Sequence, residues 1–100
     1  MTLKEVINAN EIICNEEWFH EGYTGTRIFI KGYLGGLKQG DRGYNFGKKK
    51  LELLLKDKEF KLYAPEFWEK YGKEILVCSV YLQMSDIKVY FPEFVGQSTL

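Results

Sequence analysis

The sequence predicts a small, mostly β domain, and three observations carry that expectation. Residues 26–34 and 74–84 are dense in β-branched and aromatic residues, and the second stretch alternates between two faces. The chain has 100 residues, 45% of them hydrophobic and 16% aromatic, which suits one packed core and is far from the composition of a disordered chain. It holds only two prolines and no repeat or low-complexity run, so no linker divides it.

Taken in order, Leu3, Val6 and Ile7 stand at i, i+3, i+4 spacing behind Thr2 as a cap, which predicts an N-terminal helical segment over residues 2–8. Residues 10–25 mix Ile12, Ile13, Trp18 and Phe19 with four Glu and fit neither the helical nor the strand period, so residues 1–25 read as a helical or irregular extension packed on the domain. The first clear strand is 26–34, with Gly32 and Gly35–Gly36 as bends. Residues 38–50, with three glycines and a closing lysine run, read as the longest exposed loop. Residues 51–56 and 59–63 flank Asp57–Lys58 as a hairpin. Pro65 at a start and Gly72 past an end frame a short helix. Residues 74–84 and 86–91 close the domain, which is expected to span 26–94, as a second hairpin; 95–100 form a flexible tail. Alternation assigns Ile28, Ile30, Leu53, Leu55, Phe60, Leu62, Leu76, Val80, Val89 and Phe91 to the interior.

No apolar run approaches the length of a membrane span, and residues 1–5 lack the basic-then-apolar order of a signal peptide, so a soluble, cytoplasmic protein with no membrane partner is expected. Cys14 and Cys78, far apart and without C-x-x-C spacing, are expected to be reduced, Cys78 as a small buried hydrophobe. The formal net charge is zero but segregated: residues 1–21 carry one Lys against five Glu, residues 64–100 three Lys against five acids, and residues 22–63 ten Lys or Arg against four acids, for +6.

Strand alternation turns Phe29, Lys31, Tyr33, Lys61, Tyr63, Tyr81, Lys88 and Tyr90 outward, and Arg42, Tyr44, Phe46 and Lys48, Lys49 and Lys50 extend this mixture of rings and cations into the loop. Single-stranded nucleic acid asks for such a mixture, because bases stack on aromatic faces while cations meet phosphates. The expected contacts are Lys31, Tyr33, Arg42, Tyr44, Phe46, Lys48, Lys49, Lys50, Lys61 and Tyr63. The competing reading is that tyrosines suit exposed cross-strand pairs and lysines protect edges. Gly47-Lys48-Lys49 lacks the Ser or Thr and the glycine spacing of a phosphate loop. His20 is the single histidine, and it has no partners at metal-ligand spacing, although Glu16, Glu17 and Glu21 would join it on a helix. No nucleophile, base and orienting group assemble, so no catalysis, small-molecule substrate, metal or cofactor is expected.

The order of a long bent strand, a basic loop, a hairpin, a short helix and a final hairpin over residues 26–94 resembles the oligonucleotide/oligosaccharide-binding (OB) fold, a small five-stranded Greek-key barrel with a helix between strands 3 and 4. The resemblance implies a ligand lying across strands two and three, flanked by the loops joining strands one to two and four to five, and a setting in DNA replication or repair. In this reading those elements are residues 51–63, 38–50 and the turn at Ser85–Asp86, whose shortness removes half the usual clamp. A second expectation is a protein-interaction module: an accessory subunit of a polymerase, primase or helicase, or a small phage or mobile-element inhibitor of such an enzyme. There Trp18 and Phe19 in the acidic N-terminal segment would anchor the partner.

Overall fold

The structure, a computed structural model, describes residues 1–31 and 43–91. β1 (Leu3–Asn8), β2 (Glu11–His20) and β3 (Tyr23–Ile30) make an antiparallel meander. Helix α1 (Tyr44–Leu55) leads to β4 (Lys61–Glu66), a 3-10 turn (Glu69–Tyr71), β5 (Ile75–Leu82), the two-residue β6 (Ser85–Asp86) and a last 3-10 turn (Ile87–Tyr90). The sheet runs β1-β2-β3-β5-β4, with β6 on β5; β3 and β5 are parallel and the other pairs antiparallel. Its two ends meet at one place, where Thr2 bridges Glu59 and Met1 exchanges two hydrogen bonds with Phe60, and among the described residues the sheet is otherwise open.

The N-terminal segment is therefore a strand and no helix. Val6 and Ile7 are β-branched, and β2 supplies a partner across the two-residue turn Ala9–Asn10, whose Asn10 carbonyl accepts from Ile30 N at 2.7 Å. Register shifts between Leu3 and Glu5 and between Val6 and Asn8 break the two-residue period, which leaves a helix-like spacing in the sequence. The segment 10–25 hides β2 and the start of β3 for a related reason. Ile13 pairs with Arg27 but Trp18 pairs with Gly25, so three extra residues sit in β2 and shift its alternation. The turn to β3 uses Glu21 (φ 50) and Gly22 (φ 84), both left-handed, as the twist of a tight hairpin requires.

Further along, residues 44–50, expected in a loop, and 51–55, expected as a strand, form α1. Tyr44, Gly47, Leu51 and Leu55 make its buried stripe, and Leu53 turns out to solvent, 63% exposed. Asp57 (φ 60) follows the helix end and is no hairpin turn. Pro65 and Glu66 stay in β4, which leaves only the 3-10 turn Glu69–Tyr71 where a two-turn helix was expected. After β6 the expected strand is likewise a 3-10 turn: Ile87 and Phe91, four residues apart, are buried and Val89 is exposed. Residues 32–42 and 92–100 lie outside the described residues.

The core joins Val6, Ile12, Trp18, Ile28, Ile30, Leu51, Leu55, Phe60, Leu76, Val80, Ile87 and Phe91, with Cys14 and Cys78 among them. Trp18 lies so close over Gly25 that a Cβ there would come within 2.7 Å of the indole, and its Nε1 donates to the Arg27 carbonyl at 2.9 Å. Gly25→Ala is expected to cost about 1–3 kcal/mol by overpacking, read as a lower midpoint in urea unfolding. Both cysteines are free and buried. Burial pushes each thiol up to about 12, with Cys14 adding to the effect at Cys78. These thiols stay neutral and contribute fully below the ordinary thiol range; as pH rises from there toward 12 the unfolded chain loses its thiol protons first, so stability falls. At mildly alkaline pH a disulfide reagent is expected to label neither cysteine in the native protein and both on unfolding.

Candidate functional site

Among the described residues, a cluster of rings and cations lies where the connection from β4 to β5 crosses the outer face of β3. Phe67 starts it. Its half-buried ring stands 6.0 Å from Trp18, 5.2 Å from His20 and 5.6 Å from Tyr23, which pins the chain as it leaves β4. The next residues then run over Phe29, an outward residue of β3. Trp68 and Tyr71 lie 5.5 and 5.0 Å from the Phe29 ring and 6.0 Å from each other, nearly parallel at 15°. Val77, the β5 partner of Phe29, is wholly buried although alternation puts it on this outer side. The shelf thus has an apolar base and open rings: Trp68 is 36% and Tyr23 48% exposed. Lys70 Nζ lies 5.3 Å from the Tyr71 ring, and Lys73 Nζ 4.5 Å from Phe67 and 5.7 Å from Tyr23. The residues Phe67, Trp68, Glu69, Gly72 and Lys73 line a shallow hollow of ≈ 400 Å³ beside it.

Two carboxylates order this surface. Glu66 accepts from the Trp68 indole and from Lys31 Nζ, the latter at 3.2 Å, while Lys31 also donates to the Ala64 carbonyl at 2.9 Å. Glu11, almost fully buried, pairs with Arg27 and accepts from Asn8 Nδ2 at 3.2 Å, and Asn8 in turn accepts from the Tyr44 hydroxyl at 2.8 Å.

These contacts divide the residues expected to bind a ligand. Lys31, Lys61 and Tyr63 do lie on the outer side of β3, β5 and β4, where Tyr63 is 46% exposed with its ring 4.5 Å from Tyr81. Lys31 is engaged by Glu66. Tyr44 is 6% exposed and hydrogen-bonded, so it offers no stacking face. Phe46 and Lys48, Lys49 and Lys50 lie on α1, packed along β1, and not on a loop; Lys50 Nζ is 5.9 Å from the Phe46 ring and 5.0 Å from Phe91. Tyr33 and Arg42 fall outside the described residues. Trp18 is a core residue, 2% exposed, while its neighbour Phe19 is 75% exposed. His20 and Glu16–Glu17 share strand β2 and no helix, and no group of three metal-ligating side chains occurs among the described residues. Arg27, Phe67, Trp68, Lys70, Tyr71 and Lys73 join this surface although none is among the contacts expected from the sequence. Residues 67–73 do mix three rings with two lysines, but Pro65 and Gly72 give the same stretch the frame of a helix.

No family model, no curated protein and no solved structure matches the chain. The site must be read from its own chemistry.

The Glu66 carboxyl is held below the usual carboxylate range, chiefly by the Trp68 indole and then by Lys31. A depressed carboxyl keeps its clamp above that range and loses it as pH falls through the folded value. The Trp68 indole resonance is expected to shift only in this acidic window, and in Glu66→Ala to show the released position at neutral pH.

Proposed function

We propose that the chain is a non-catalytic OB-like barrel module of the cytoplasm that binds single-stranded nucleic acid, in DNA replication or repair. Three features support the barrel reading: the parallel pairing of β3 with β5, the helix between the third and fourth long strands, and the bridge from Thr2 to Glu59. In that fold the ligand crosses strands two and three beside the connections β1–β2 and β4–β5. Here the first connection is only Ala9–Asn10, and the second carries Phe67 to Lys73. The clamp is therefore one-sided, on the side opposite to the basic loop 38–50 that the sequence suggests.

The observation that carries the nucleic-acid reading is the near-parallel Trp68–Tyr71 pair over Phe29, with Lys70 and Lys73 beside the rings. Flat, partly desolvated rings accept any base, and each stacked base is worth about 1–3 kcal/mol. Charge contributes less here. Arg27 and Lys31 are each paired with a carboxylate, so Lys70 and Lys73 beside the rings and the exposed Lys61 on β4 are left as the main phosphate contacts, and the salt dependence should be shallow.

Anisotropy titration of a labelled oligo-dT at about 50 and about 200 mM salt tests this. Trp68→Ala is expected to weaken binding by about 1–3 kcal/mol, and Lys70→Ala and Lys73→Ala each to reduce the salt slope by about 1. Absence of binding at the lower salt, or binding that Trp68→Ala leaves unchanged, would remove the reading.

A further inference from the structure

The seam between the two ends of the sheet holds a second surface. Phe60 N donates to Met1 O at 2.8 Å and the Met1 ammonium donates to Phe60 O at 2.9 Å, so the backbone groups of Phe60 point away from β5. Strand alternation turns the N–H and C=O of Leu62 the same way. Among the described residues no strand lies along β4 beyond Met1. A groove of ≈ 450 Å³ opens there instead, with Trp18, Phe60, Leu62, Pro65 and Leu76 among its lining. Trp18, Phe60 and Leu76 belong to the core and are covered, so the open apolar lining is Phe19, Leu62 and Pro65.

We propose that this seam is a docking slot for a short extended peptide segment of a partner protein, which adds to the edge of β4 and seats an apolar side chain against Phe19, Leu62 and Pro65. The backbone edge selects an extended chain, because only a strand offers a donor and an acceptor to Leu62 in the line already set by the Met1–Phe60 bonds. The incoming segment thereby continues an interface that the chain makes with itself. Charge gives no preference for a phosphate-bearing occupant, since Glu17 and Lys61 both line the groove and balance, and most of the other lining side chains are apolar. Ala64, with a left-handed φ of 52 and its carbonyl held by Lys31, and Pro65, without an N–H, leave Leu62 as the pairing residue of this edge, which suits a short segment. A second copy does not fit, because a two-fold-related β4 would bring its own Met1 against Ala64. One ring of backbone bonds and one side-chain anchor are what the slot offers, and Phe19, 75% exposed, stands at its lip.

The test uses the full chain and the capped pentapeptide Thr-Val-Leu-Val-Thr, followed by amide chemical shifts. Saturation is expected to slow hydrogen exchange at the Leu62 amide. N-methylation of the peptide at alternate positions should weaken binding about tenfold for the set facing β4 and leave the other set unchanged. Phe19→Asp, at an exposed position, should weaken binding by a similar factor, and oligo-dT should not displace the peptide. The proposal is overturned if both methylated sets bind alike, if the shifts map to Trp68 and Tyr71, or if the Leu62 amide is already protected without peptide. Protection that grows with protein concentration would assign the seam to a second copy and overturn it equally.

Discussion

The packing of Trp18 over Gly25 is the contact on which both surfaces depend. A large ring enters the core there because β3 offers no side chain at that position, and β2 reaches it only by taking three extra residues between its pairings with Arg27 and Gly25. The indole N–H then finds the Arg27 carbonyl, so the ring is satisfied as well as buried. Its outer flank is where Phe67 lands, and that landing carries the β4–β5 connection across β3 toward Phe29. Another flank forms a wall of the seam groove. A single core side chain thus fixes where the aromatic shelf begins and how deep the slot can be.

Legibility in the sequence followed the regularity of each element. β5 was readable because Leu76, Cys78, Val80 and Leu82 alternate without interruption, and all four are buried. β1 and β2 were not, because bulges change the phase of the alternation partway along each strand, and a window that spans a bulge sees neither period. Helix α1 was hidden by composition. Gly47 and three lysines resemble a loop, although Tyr44, Gly47, Leu51 and Leu55 already stand at helical spacing. Much of the interior survived the misassigned elements, since Leu55 and Phe91 are buried under either period, whereas Leu53 and Val89 are buried only if the segments are strands.

The candidate site residues were legible as a kind of residue and not as a place. Rings alternating with lysines are present in the expected strands and again in residues 67–73, and the sequence has no means of saying which set packs on a neighbour and which stays open. Tertiary contacts decide this: Tyr44 is drawn down by Asn8, Lys31 by Glu66, and Arg27 by Glu11, while Trp68 and Tyr71 are lifted onto Phe29.

The same contacts change what the charge pattern means. The +6 of residues 22–63 suggests a positive field, but Lys48, Lys49 and Lys50 ride on α1 along β1, whereas Arg27 and Lys31 point from β3 and are met by carboxylates. Segregation along the chain is not segregation on the surface, because a sheet places distant segments side by side and a helix turns successive residues through all directions. A polyanion approaching β3 therefore meets a nearly balanced surface with exposed rings, and its affinity would come mainly from stacking and only secondarily from counterion release. That balance also distinguishes this interface from a basic groove. Stacking rings tolerate any sequence and little of their contribution is screened by salt, so binding on this shelf would persist at ionic strengths that release proteins held chiefly by lysines.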